Sequence, residues 1–164
     1  MTKALDLWQI ASYSKGMLPK PKAAAEPLAK KIAKKLELDA DISSESDLAA
    51  AVLHRLPLDT LESLAEAGFS EGEIGAFVIP ARTRRHRAMK QEPLTIEESD
   101  RAVRLARLQS FAESVFGDAK KANLWLRRGL QELGGEAPLA YARAEAGARV
   151  VETILGKIAW GAAA

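Results

Sequence analysis

A cluster of basic side chains between residues 82 and 90 is the part of this sequence best suited to bind a ligand. No acidic residue lies between Ile79 and Gln91. Because a guanidinium group can bond a guanine edge through two parallel hydrogen bonds and can also pair with phosphates, such a cluster suits DNA. A solvated face and a contact with another protein are the alternatives. We expect DNA contacts from Arg82, Thr83, Arg84, Arg85, Arg87 and Lys90.

The residues before this cluster predict a short helix followed by a tight turn. Ser70 and Glu73 have the spacing of a capping box, in which each side chain bonds the backbone N–H of the other residue. Three apolar residues then face inward: Ile74, Phe77 and Val78. Pro80 suits the first turn of a new helix. Two helices joined in this way predict a helix-turn-helix, whose second helix enters the major groove.

The residue types needed for most covalent or metal chemistry are scarce. The chain has no cysteine, which excludes a thiolate zinc site and a cysteine nucleophile. Its two histidines, His54 and His86, are far apart, and His86 has no evident carboxylate partner. Carboxylates between Glu132 and Glu152 could serve an all-α enzyme, but none has an evident partner or pocket. We therefore expect no cofactor, no metal and no catalysis.

Length and composition are those of an ordinary globular protein. The chain has 164 residues, of which 48% are hydrophobic and 28% charged, and a formal net charge of +2. No apolar run approaches the ~20 residues that span a bilayer, and the first residues do not resemble a signal peptide. No segment alternates apolar and polar residues over a strand length. We expect an all-α, soluble and cytoplasmic protein without membrane contact.

The first part of the chain is rich in lysine, with eight lysines and no arginine in residues 1–44. Apolar spacing predicts a helix over 4–11 and a second one that begins near Pro27. The apolar stripe of the second helix is Leu28, Ile32, Ala33 and Leu36. Its lysine pairs predict a solvated face on a mobile extension, with a nucleic-acid contact as the alternative. A third helix, after a serine-rich cap, would bury Leu48, Val52, Leu53 and Leu56.

The second half of the chain predicts a long helix and shorter ones after it. Thr95 and Glu98 form another capping box, and Gly117 ends the helix that they begin. A short helix starts at Pro138 and a last one near Glu145. The apolar faces of helices 97–116 and 145–158 exceed what two short neighbours cover, which predicts a homodimer. Near the end, Trp160 either packs on its own domain or contacts another chain.

The region from Phe69 to the end resembles the Xre–MbcA–ParS family of antitoxins, which are partners of RES-domain toxins. The motifs that carry the resemblance are Ile79-Pro-Ala-Arg-Thr83, Glu98-Ser-Asp-Arg101, Val115-Phe-Gly-Asp118, Leu133-Gly-Gly135 and the segment 145–158. Arg84 stands where the family more often has an apolar residue, and Trp160 where tyrosine is common. We expect the first to affect how the recognition helix packs and the second to affect the fit to the toxin.

The resemblance implies an Xre-like helix-turn-helix module followed by a small helical toxin-binding domain. The expected division is an extension at 1–44, the DNA-binding module at 45–94 and the toxin-binding domain at 95–164. The module would bind the operator of its own promoter, and the second domain would block a toxin that acts on NAD. The residues expected at the toxin are Lys157, Ile158, Ala159, Trp160 and Gly161. A stand-alone helix-turn-helix regulator with a C-terminal sensing domain is the alternative.

Overall fold

The computed structural model describes residues 26–38 and 41–161 and shows helices as the regular structure within them. The all-α prediction is confirmed, whereas the helix predicted over 4–11 lies outside the described residues. The helices are α1 (Leu28–Lys35), α2 (Glu45–Leu53), α3 (Thr60–Glu66), α4 (Glu71–Phe77), α5 (Ala81–Lys90), α6 (Ile96–Phe116), α7 (Ala119–Arg127), α8 (Pro138–Tyr141) and α9 (Glu145–Ala159). A 3₁₀ turn at Gln131–Leu133 lies between α7 and α8.

Local sequence signals set where the helices begin and end. The predicted capping boxes are confirmed at Ser70 with Glu73 and at Thr95 with Glu98, and a third one joins Ser44 to Asp47. The Asp118 side chain accepts a hydrogen bond from the Lys121 amide and so caps α7. Gly117 ends α6 with φ +67°, a left-handed conformation that glycine adopts without strain.

Helix α6 is the centre of the molecule. It packs against α1, α2, α3 and α4 on the side of the first half and against α7 and α9 on the side of the second. Its fully buried residues include Ala102, Leu105, Ala106, Leu108 and Ala112. For α6, the expectation that its apolar face exceeds the available neighbours is therefore wrong, because helices of this same chain cover it. The homodimer stays a prediction.

Helix α1 belongs to this packed body. Ile32 and Leu36 are buried beside α6, and the Lys35 ammonium lies 2.8 Å from the Glu113 carboxylate. Lys31 donates a hydrogen bond of 3.0 Å to the Ser114 hydroxyl. The interpretation of α1 as part of a mobile extension is thus wrong, since the helix buries its apolar stripe and directs two of its lysines to α6. The predicted solvated face is confirmed for its other two lysines, Lys30 and Lys34, which are exposed.

A close approach between α8 and α9 yields a test of the packing. A Cβ atom on Gly147 would lie 2.0 Å from the Tyr141 carbonyl oxygen, whereas one on Gly156 would meet nothing within 4 Å. We expect Gly147→Ala to lower the free energy of unfolding by about 1–3 kcal/mol through overpacking. Gly156→Ala, on the same helix, should raise it by up to about 1 kcal/mol. Urea denaturation of both variants measures these changes, and equal stability of the two would contradict the packing.

Candidate nucleic-acid interface and C-terminal surface

The helix-turn-helix predicted from the sequence is present. Helix α4 ends at Phe77, the turn runs through Val78 and Ile79, and α5 begins after Pro80. Val78 and Ile79 are each only 1% exposed, so the turn is anchored in the core. Helix α5 itself contains no buried residue. It lies on the surface as a basic helix that other groups must hold in place.

Two of the six predicted DNA-contacting residues face their own chain. The Arg84 guanidinium lies 2.9 Å from the Glu71 carboxylate and 3.9 Å from that of Glu62. Arg87 lies 3.2 Å from Glu98 and 3.7 Å from Glu92, and its side chain is only 16% exposed. These ion pairs fasten α5 to α3, α4 and the start of α6, and they account for the absence of an apolar residue at position 84.

The other predicted residues on α5 face outward or lie at its edge. Arg82, Arg85 and Lys90 are exposed and form no ion pair within the described part of the chain. Thr83 is half-buried, and His86 is exposed, as expected for a surface histidine. Arg82 and Arg85 are three residues apart, so they share one face of the helix. This geometry leaves the guanidinium groups of Arg82 and Arg85 free to contact a groove of DNA.

The end of α9 is an exposed apolar surface. Helix α9 ends at Ala159, and the next residue, Trp160, is 89% exposed. Lys157 and Ala159 are also exposed, Ile158 is half-buried, and Gly161 has φ +68°. The alternative in which Trp160 packs on its own domain is therefore wrong for the described residues. An indole in water offers a large, stiff contact area to another molecule.

Sequence reasoning missed a network that joins α4 to α7. Arg127 lies 2.7 Å from the Glu73 carboxylate, and it also donates a 3.0 Å hydrogen bond to the Gly68 carbonyl. Its guanidinium lies 5.7 Å from the centre of the Phe69 ring, at cation–π distance. The partners are 54 residues apart along the chain, so no local pattern could have indicated the pair.

The carboxylate of Glu73 is held in its charged form by this network. Burial alone would raise the pKa of Glu73, but hydrogen bonds from Arg127 and from Ser70 outweigh burial and hold the pKa below its ordinary value.

The described residues contain no cluster of three metal-ligating side chains. Within the same residues, every helix is too short or too polar to cross a membrane.

Comparison with known proteins matches both halves of this fold. Residues 47–107 match the antitoxin Xre-like helix-turn-helix domain, and residues 111–161 match the antitoxin Xre/MbcA/ParS C-terminal toxin-binding domain. A protein of Pseudomonas putida named "Antitoxin Xre" is 31% identical over 121 residues, which cover 74% of this chain and 76% of that protein. Another "Antitoxin Xre", from Photorhabdus laumondii, is 30% identical over 122 residues, or 73% and 82% of the two chains.

The network around Glu73 predicts a loss of stability in acid. Because the folded state lowers the pKa of Glu73, its stabilisation is present above the unfolded pKa of about 4.3 and is lost as the pH falls through the folded value. Glu73→Gln should lower the free energy of unfolding by about 1 kcal/mol at pH 7 and reduce this acid dependence. Glu132→Gln, at an exposed site, is the control. Urea denaturation from pH 3 to 7 tests the prediction, which fails if both variants follow the wild-type curve.

Proposed function

The chain belongs to the Xre antitoxin family, and we propose that it neutralises a RES-domain toxin and represses its own promoter. It is an antitoxin with a DNA-binding helix-turn-helix domain and a toxin-binding domain. The toxin that we propose acts on NAD, either by degrading it or by transferring its ADP-ribose. The observation that carries this proposal is the 89% exposure of Trp160 at the end of the toxin-binding domain.

Neutralisation, in this proposal, is steric. Lys157, Ile158, Ala159, Trp160 and Gly161 occupy the toxin's active-site cleft and prevent NAD from entering it. Trp160 supplies most of the contact area, and Gly161 lets the backbone approach the toxin closely. The antitoxin needs no catalytic group of its own for this role, since occupancy of the cleft is enough.

Promoter binding, in the same proposal, depends on the outward face of α5. Arg82 and Arg85 contact base edges or phosphates in the major groove, while Lys90 and Thr83 contact the backbone. Arg84 and Arg87 position the helix through their carboxylate partners instead of touching DNA. A homodimer would present two copies of α5 to two half-sites ~34 Å apart, as helix-turn-helix proteins commonly do.

Operator binding is tested by removing the two outward arginines. Arg82→Ala with Arg85→Ala should weaken binding to the promoter upstream of this gene by about 1–3 kcal/mol for each lost base contact. Lys30→Ala with Lys34→Ala removes the same charge from exposed sites on α1 and should have a small effect. Fluorescence anisotropy titrations measure both. Wild-type affinity of the α5 variant would refute the assignment, and equal losses in both variants would indicate nonspecific charge.

Neutralisation is tested by removing residues 160–164. We expect this truncation to weaken binding to the toxin encoded by the neighbouring gene by about 2 kcal/mol or more, as loss of a buried tryptophan anchor does. Growth rescue on co-expression should fail at wild-type protein levels. Melting temperature and promoter affinity should be unchanged, because Trp160 is exposed in the free chain. The Arg82/Arg85 variant is the reciprocal control, since it should rescue growth while losing promoter affinity.

A truncated chain that still binds the toxin and rescues growth would refute the proposed role of the end of α9 and the residues after it in neutralising the toxin. A wild-type chain that binds its promoter but neither binds nor neutralises the neighbouring toxin would refute the proposed function as a whole. That result would favour a stand-alone transcriptional regulator.

A further inference from the structure

Helix α7 presents an apolar residue to solvent within a basic surface. Leu124, in the middle of the helix, is 73% exposed. Lys120 and Lys121 precede it by one helical turn, and Arg128, the residue just after the helix, follows it by four positions, so the three lie around it at the same side of α7. All three basic residues are exposed. We call Lys120, Lys121, Leu124 and Arg128 the α7 face.

The charges of the α7 face are not neutralised within the described chain. Its three basic side chains take part in none of the ion pairs there, whereas the neighbouring Arg127 is engaged by Glu73. No acidic residue occurs between Asp118 and Glu132, and the Asp118 side chain is used to cap the helix. The α7 face is therefore an exposed leucine surrounded by three cations that form no ion pair with the described residues.

The opposite side of α7 holds the helix firmly in place. Ala122 and Leu126 are fully buried against the core, and the Trp125 ring packs against that of Phe116, with ring centres 5.6 Å apart and the planes tilted by 44°. Arg127 fixes the last turn to Gly68 and Glu73. Because the inner side is buried and hydrogen-bonded, the backbone of the α7 face is already in place, and binding would order only its exposed side chains.

We propose that the α7 face is a second docking surface for the toxin, separate from the residues at the end of α9. This inference rests on the proposed function. The complementary surface on the toxin is an apolar pocket for Leu124 with carboxylates around its rim. Such an arrangement, an apolar anchor enclosed by charged residues, is common at protein interfaces and lets electrostatic attraction accelerate association.

Two other occupants fit the α7 face less well. A symmetric contact with a second copy would bring the same basic residues together, and like charges at an interface oppose association. DNA would satisfy the three cations, but Leu124 has nothing to offer a phosphate backbone and would remain in water. The combination of an apolar centre with a basic rim therefore favours an acidic protein surface.

The test uses the purified full-length chain and, as the probe, the toxin encoded by the neighbouring gene. Leu124→Asp and the pair Lys120→Glu with Arg128→Glu should each weaken toxin binding at least about tenfold. Leu124→Met, which keeps an apolar side chain of similar volume, should bind within about twofold of wild type. Leu53→Asp changes a leucine that is 65% exposed on α2 and is the matched control, with affinity expected near wild type.

Calorimetric titration at two salt concentrations, with melting curves for every variant, separates the outcomes. The charge-reversal pair should also lose the salt dependence of binding. An affinity of Leu124→Asp for the toxin equal to that of the wild type would overturn this inference and leave the proposed function standing. No binding of the toxin by the wild-type chain would refute both.

A loss of promoter affinity with unchanged toxin affinity would identify the α7 face as a DNA contact. A change of mass in light scattering would identify it as a contact between copies. Either result would overturn the inference.

Discussion

Burial of α6 is the constraint on which the rest of this structure depends. One helix of 21 residues is covered from one side by helices of the DNA-binding half and from the other by helices of the toxin-binding half. Polar residues of α6 also join it to the segments around it. The buried Ser99 hydroxyl accepts a 2.9 Å hydrogen bond from the Leu56 amide. Gln109 donates to the Ala67 carbonyl. Neither half can bury its apolar surface without this helix, so the two binding functions share one core.

Charge, by contrast, determines the position of α5. The helix contributes no buried residue, and its attachment consists largely of ion pairs from Arg84 and Arg87 to acidic residues of other helices. The Arg84–Glu71 pair is partly exposed, so it contributes little stability and weakens with salt, whereas the Arg87–Glu98 pair is largely buried, with side chains 16% and 13% exposed. The same arrangement divides its arginines into two that hold the helix and two that face solvent.

Local signals in the sequence were enough to predict most of the fold, and nonlocal pairing explains what they missed. The capping residues Ser70 and Thr95 and the tight turn before Pro80 depend on neighbours within a few positions, so the sequence reveals them. The exposure of Leu53, expected to be buried, depends on which side of α2 meets α6, and helical spacing cannot specify that. The partners of Arg84 and Arg127 lie on other helices. The segment 80–90 has no acidic residue, so its arginines looked unpaired in the sequence. Carboxylates outside the segment neutralise part of this charge in the structure.

We propose that one core carries two binding surfaces that work through different residues. To test this, antitoxin already saturated with toxin is mixed with the promoter fragment, and light scattering measures the mass of the species that form. We expect a single species that contains toxin, antitoxin and DNA, because the outward face of α5 is distinct from the end of α9. Release of the DNA when toxin is added, with toxin and promoter competing for the same antitoxin, would contradict it.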